Sequence, residues 1–503
     1  MRHLVNVAAL LAATGSTAYA QNTLPQLNDA YFRAAQAALQ ERLQVTANTN
    51  RAKNVILFVG DGMGISTVTA GRIYEGQKRG VDGESNSLTM ERLPYAALSK
   101  TYTHDAQVAD SAPTAVAMVS GVKTRNDVIG LNSDVEVGDC AGSKGKEVLS
   151  LAAMAERAGQ ATGVVSTARI THATPAAMYA HTPHRDWEAD ANMTPEAMAA
   201  GCKDIAQQLA AWSYGDGFEV ILGGGRDRFL PATADDPEDK DRKGSRKDGR
   251  NLVQEWQARY SNSGSFVWNK EQFDRLDART PRVLGLFERS HMRYEADRLK
   301  DNGGEPSLAE MTVKTIDILG QNPNGFFLMV EGGRIDHAHH DSNAYRSLED
   351  MVAFDNAVKA ALEKVNLSET LVVVTADHSH VFTIAGYPKR GNPILETIVE
   401  PDGTTKLGKD GKPFTTLGYT NGPGAVKEGE PRPAPVNTTA PDYKQQSLVH
   451  LDSETHGGED VAIFAGGPWA HLFAGVVEQN YIYHVIDHAT KLSERSGLRA
   501  AAQ

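Results

Sequence analysis

Three unbroken apolar runs in this chain each stop at an acid: "NVILFVGDG" (54–62), "GFFLMVEGG" (325–333) and "TLVVVTADHSH" (370–380). Short runs without polar alternation suit strands covered on both faces, which means a parallel sheet between helical layers. "GVVSTA" (163–168) and "FEVILGGG" (218–225) are of the same kind, and "GKEVLSLAAMAERAG" and "AYRSLEDMVAFDNAVKAALEKV" supply helices between them. The expected fold is α/β, with a large central mostly parallel sheet and helices on both faces. Ligands in such sheets bind beyond the carboxyl ends of the strands, where Asp61, Glu331 and Asp377 would gather. A single acid there reads as a cap for the next turn. Three repel one another unless cations neutralise them.

A chain of 503 residues can hold one large domain or two to three smaller ones. Its net charge of −12 argues against a general nucleic-acid binder. Residues 1–20 read as an export signal: "MRH" is basic, "LVNVAALLAATG" is too short to span a bilayer, and "STAYA" ends in a cleavage pattern after Ala20. No later stretch approaches about eighteen apolar residues, so a periplasmic or secreted protein without a membrane span is expected. Cys140 and Cys202, the only two cysteines, fit such a compartment as one disulfide.

Residues 21–51 read as a helical arm, with Leu27, Tyr31, Ala35, Leu39 and Leu43 on a near-helical period. That stripe would pack on a partner subunit or on the chain's own domain. Residues 231–250 are charged without apolar period and read as an exposed insertion. From 386 to 450 the chain is rich in Gly, Pro, Thr and Asn and reads as a second, peripheral insertion.

"EGGRIDHAHHDSNA" (331–344) concentrates candidate ligands. On a helix, residues four apart are offset by only about 40°, so Asp336 pairs with His340 and His337 with Asp341. Spacing does not choose between the pairs. His339 belongs to neither and reads as a supporting or solvated side chain. Asp377-His378 adds a ligand pair at a strand end, and "SETHGGED" supplies His456. Two histidines and an acid with open positions suit catalytic zinc. In "DAQVADSAPTAVAMVSG" Ser111 precedes a helical run with Pro113 in its first turn. It reads as an N-cap or, at an anion-attracting helix end beside a metal, as a phosphate-accepting nucleophile. "THATPAAMYAHTPHRDW" contributes His172, Thr174 and Arg185.

Together "VGDGMG", "ADSAPTA", "THATPAAMYAHTPHR", "EGGRIDHAHH", "TADHSH" and "ETHGGED" occur in an order that resembles the alkaline phosphatases, over a domain at 52–490. "DGRNLVQEW", "VWNK", "LGLFE" and "GYTNGPG" look closer to the animal enzymes than to the short enteric-bacterial type. The resemblance implies one zinc on Asp336, His340 and His456, and a second on Asp61, Asp377, His378 and Ser111. It implies magnesium on Asp61, Thr174 and Glu331. His172 and His337 would support metal choice and the phosphate pocket, and Arg185 would clamp two phosphate oxygens. A calcium site of the animal members carries over to Glu238, the carbonyl of Phe287, Glu288 and Glu305, within a subdomain at 226–310. Their last ligand is normally Asp, and two extra residues precede it here in "RLKDNGGEPSL". Residues 386–450 would be the crown-like insertion.

What the resemblance implies chemically is hydrolysis of phosphate monoesters through a phosphoserine on Ser111, by a homodimer. The arm at 25–45 would reach across to the other subunit. The animal lipid-anchor signal has no counterpart in "GLRAAAQ". The rivals are a phosphodiesterase of the same superfamily, in which Arg185 would crowd a second ester group, and a periplasmic metal- or phosphate-binding protein, which needs no nucleophile.

Overall fold

A computed structural model describes residues 24–498; the export signal expected at 1–20 lies outside them. The chain divides after Thr46 into two compact units. In the first, a short turn at Pro25–Asn28 leads into helix α1 (Ala30–Leu43). Asp29 caps it, its carboxylate accepting from Phe32 N at 2.9 Å, and α1 buries none of its side chains.

The second unit is built on ten strands: β1 (Asn54–Gly60), β2 (Tyr95–Lys100), β3 (Ala161–Arg169), β4 (Val220–Gly224), β5 (Gly264–Val267), β6 (Arg282–Leu286), β7 (Phe326–Gly332), β8 (Thr370–Ala376), β9 (Val461–Gly466) and β10 (Val476–Glu478). They lie in the order β10-β2-β9-β8-β1-β7-β3-β4-β6-β5. Neighbours are parallel except around β9, which runs against both β2 and β8. Sequence period two divides each central strand between two cores: Val55, Leu57 and Val59 of β1 enter one, Ile56 and Phe58 the other. Helix α2 (Ser111–Ser120) covers the first core with Ala112, Val116 and Val119. On the opposite face α3 (Leu308–Leu319) contributes Met311 and Leu319, and the long α5 (Ala344–Lys364) contributes Phe354 and Val358. The short α4 (Arg334–His340), just ahead of α5 in the chain, shares this second core through Ile335. Ser307 and Glu310 start α3 with reciprocal side-chain to backbone bonds.

Register decides where the acids fall. Val59 stands opposite Glu331 and Gly60 opposite Gly332, while on the other side Gly60 stands opposite Ala376. Asp61 and Asp377 therefore leave the sheet together, with Glu331 two residues behind. All three are fully buried.

Residues 231–250 are mostly exposed, while the wider stretch 226–310 supplies β5 and β6 to the sheet. A few of its charges are internal. Arg226 pairs with Asp236 at 2.7 Å and Glu238 at 2.9 Å, and Arg246 with Asp204 at 2.9 Å, both arginines being fully buried. Such pairing is not visible in sequence. Within and beside 386–450, three strands (Phe382–Ile384, Leu417–Gly422 and Ser447–His450) form a separate sheet. Cys140 and Cys202 are joined, their Cα atoms 5.9 Å apart.

A buried glutamate, Glu156, and a half-buried one, Glu219, lie near the amino-terminal ends of the strands. Glu156 accepts from Thr162 Oγ1 at 2.5 Å, and Glu219 from Thr162 N at 2.7 Å. Burial, then the charge of Glu219, pushes Glu156 up to about 8; burial pushes Glu219 up to about 7. Both folded values exceed the unfolded value of about 4.3. Their contribution to stability is thus full below that value and is lost as pH rises through about 7 to 8. The thermal midpoint should fall between about pH 5 and about pH 8, and Glu156→Gln should flatten that decline; parallel curves would remove these glutamates from the account.

Candidate active site

Helix α2 begins at the site because Asp110 caps it, accepting from Ala112 N at 2.6 Å. Ser111 is accordingly the first residue of the helix rather than its cap. The same Asp110 carboxylate also accepts from the backbone N–H of Asp127 and from Arg185 Nη1 at 3.0 Å. One acid thus fixes the serine helix and the arginine together. Ser111 Oγ donates to Asp61 Oδ1 at 3.3 Å and lies 3.1 Å from His378 Nε2.

Asp61, Asp377 and His378 converge below the serine. His378 Nε2 is 3.4 Å from Asp61 Oδ1 and 3.3 Å from Asp377 Oδ2. Burial, then the charges of Asp377, Asp336 and Glu331, raises Asp61 well above the carboxylate range. Burial raises Asp377 as well, and Glu331 to about 7. Asp61 Oδ2, Asp377 Oδ2, Glu331 Oε1 and Thr174 Oγ1 are buried without a hydrogen-bond partner. Orphaned oxygens of this kind are rare in folded proteins, and here they share one edge. The donor set fits hard or borderline cations.

A second cluster resolves the helix-face ambiguity. Asp336 Oδ1 is 3.4 Å from His340 Nε2 and 3.3 Å from His456 Nε2, and those two nitrogens are 3.1 Å apart. Each Nδ1 meets a backbone carbonyl: that of Glu454 at 2.6 Å for His340 and that of Ala109 at 2.7 Å for His456. Donation from Nδ1 leaves the Nε2 lone pairs turned toward a common point, the tautomer a metal ligand needs. His337 instead turns toward His172 and His291, and Asp341 is exposed just past the end of α4. His339 is not solvated. It is fully buried between Thr67, Ser347 and the Tyr419 hydroxyl, at 3.0, 2.8 and 2.8 Å.

His172 touches Arg185, Nε2 to Nη2 at 3.2 Å. Burial lowers His172, His337 and His378 well below the usual imidazole value, so all three are neutral. His380 is different and went unassigned in the sequence. Its Nε2 is 2.8 Å from Asp336 Oδ1 and its Nδ1 2.5 Å from Glu454 Oε2. Burial would lower it, but Glu454 and Asp336 outweigh that and bring it to about 10. The only signal was the second histidine of "TADHSH".

Away from this edge, Glu238, Glu288 and Glu305 lie within one another's field, and Asp301, which drew no notice in the sequence, joins them as a fourth carboxylate. Burial, then Glu288, raises Glu305 to about 9, and its Oε2 has no hydrogen-bond partner. Arg226 offsets part of the charge, donating to Glu238 at 2.9 Å and to the Phe287 carbonyl at 3.1 Å.

A cation-hungry sheet edge, with a serine at a helix start and an arginine tied to the same cap, defines a metal-dependent hydrolase acting on an oxyanion. The alkaline phosphatase profile matches residues 52–492, and the chain belongs to this family. It is 46% identical to the human tissue-nonspecific alkaline phosphatase over 478 residues, covering 93% of this chain and 89% of that one. Identity to the Gadus morhua alkaline phosphatase is 45% over 468 residues, 92% of this chain and 96% of the relative. The solved Thermus thermophilus alkaline phosphatase superposes with a TM-score of 0.64 at 26% identity, covering 91% of this chain and 95% of that structure.

If cations relieve the crowding of Asp61, Glu331 and Asp377, a chelator should lower the thermal midpoint and zinc with magnesium should restore it. The gain is about 4 kcal/mol for a cation at a thousandfold excess over its Kd. Asp377→Asn should respond less. A midpoint indifferent to chelation would contradict this account of the buried acids.

Proposed function

We propose that this alkaline phosphatase hydrolyses phosphate monoesters to an alcohol and inorganic phosphate through a phosphoserine on Ser111. The observation that carries the reading is the shared cap: Asp110 holds both the helix bearing Ser111 and the guanidinium of Arg185. Asp336, His340 and His456 would hold one zinc. Asp61, Asp377 and His378, with Ser111, would hold the other. Asp61, Thr174 and Glu331 would hold magnesium, and Glu238, the Phe287 carbonyl, Glu288 and Glu305 calcium. When bound at the sheet edge, the cations supply Lewis acidity that favours the deprotonated serine and offsets charge on the departing oxygen.

Ser111 Oγ attacks phosphorus as the ester P–O bond breaks, and water then cleaves the phosphoserine. Arg185 grips two non-bridging oxygens in its fork, and the amino-terminal end of α2 adds favourable dipole and N–H groups. Neutral His172 leaves the Arg185 guanidinium its full charge and steadies its plane. His380, held between Glu454 and Asp336, fixes the Asp336 carboxylate.

Nitrophenyl phosphate should be hydrolysed at alkaline pH far faster than the matching diester. Arg185→Ala should lower monoester kcat/KM by about a hundredfold or more and diester turnover much less. Equal losses would count against Arg185 as the clamp. Ser111→Ala should leave no acid-stable labelled phosphoenzyme, whereas label retained in that variant would move the nucleophile elsewhere.

We also propose a homodimer exported to the periplasm or the medium, with α1 docking on the second subunit. No helix among the described residues is long and apolar enough to cross a membrane, while Leu27, Leu39 and Leu43 are exposed in the single chain. Deleting 25–45 should shift sedimentation toward monomer; an unchanged dimer would exclude the arm from the interface.

A further inference from the structure

A cavity of about 520 Å³ is lined by Arg289, His291, Arg293, Tyr294, Lys300 and Arg334, among others. It adjoins the histidines of the active site: the His291 ring lies 4.1 Å from that of His337 and 5.2 Å from that of His172. Its cations are not equivalent. Arg293 is paired with Glu288 at 2.7 Å, Lys300 with Asp297 at 2.7 Å, and Arg289 lies 3.5 Å from Asp227.

Arg334 makes no ion pair among the described residues. Its guanidinium is stacked 3.7 Å over the ring of Tyr294, Nη1 is 3.0 Å from His337 Nδ1, and Nε is buried without an acceptor. The other guanidinium near that ring, Arg346 at 5.4 Å, is already committed to Asp297 at 2.8 Å and Asp442 at 2.7 Å. Asp350 is the buried acid that feels Arg334, but burial pushes it up to about 8, so near neutrality it is a poor counter-charge. A stacked, pre-oriented guanidinium without a carboxylate partner at a roomy cavity is built for a planar or tetrahedral oxyanion.

We propose that Arg334 and this cavity form a second oxyanion site, distinct from the Arg185 clamp and selective for small doubly charged anions such as phosphate. Two sources share that chemistry: free inorganic phosphate, and the distal phosphate of a substrate carrying two. The path between the sites is short, since His337 touches both Arg334 and His172, and His172 touches Arg185. Only the second source rests on the proposed hydrolysis.

Calorimetric titration of the metal-loaded full chain with inorganic phosphate tests the site directly. Two phosphates per chain are expected; Arg334→Gln should weaken one by about tenfold or more, and Arg185→Ala should weaken the other. Arg334→Lys, which keeps the charge but not the fork, should weaken the same phosphate less than Arg334→Gln. One phosphate per wild-type chain, or a second whose affinity neither Arg334 variant alters, overturns the proposal. The source is read from kcat/KM for a bisphosphorylated alkyl substrate relative to nitrophenyl phosphate. A ratio falling about tenfold in Arg334→Gln identifies the distal phosphate. An unchanged ratio with the second binding event lost identifies free phosphate. If the wild type hydrolyses neither ester, the functional reading fails while the binding stoichiometry still decides the site.

Discussion

Repulsion among buried carboxylates organises this molecule. Parallel register brings Asp61, Glu331 and Asp377 within two residues of one another at the carboxyl edge of the sheet, where they cannot spread their charge into water. Everything placed around that edge answers this constraint. Neutral imidazoles offer lone pairs instead of adding charge, His380 brings a proton where Asp336 and Glu454 need one, and a helix start is presented beside them. An arrangement unfavourable as a bare fold becomes favourable once it is a receptor for cations.

The edge draws on both helical layers. Ser111 arrives on α2, packed on one face, and Asp336 and His340 arrive on α4, whose Ile335 is packed on the other. His456 comes from a two-residue strand, His456–Gly457, paired antiparallel with Ser379–His380, and its ring meets the Ala109 carbonyl, immediately before the Asp110 cap. A shift of either layer would therefore change the distance between Ser111 and the cluster of Asp336 and His340, and tight packing, such as Phe58 against Phe354 at 5.9 Å, resists such shifts.

The strands carrying the three acids were legible in the sequence because doubly covered strands leave an unbroken apolar signature and the acids end it abruptly. Strands β2, β9 and β10 left no comparable trace, being half-covered or short. The ligand choice in 336–341 was not legible from spacing, since both pairs obey the same helical offset. What separates them is that α4 stops at His340, turning Asp341 out to solvent, a fact of chain termination rather than of period. Likeness to a known family pointed to Asp336 and His340, and the geometry brings those two together with His456. Buried arginines such as Arg226 and Arg246 were not legible for another reason: their partners, at Asp236 and Asp204, are set by tertiary packing, and charged stretches look alike whether solvated or paired. Asp301 and Glu454 belong to the same class of residue, meaningful only after the chain has closed.

The side chains of the candidate metal clusters run from Asp61 to His456, almost the whole length of the second unit. No local hairpin or helical pair assembles any one cluster, so an emerging or partly folded chain has little to offer a cation. Loading must then follow the last long-range closures rather than guide them. Bound ions in such a protein slow escape from the native state far more than they hasten arrival. Resistance to unfolding becomes a property conferred after folding, by ion supply.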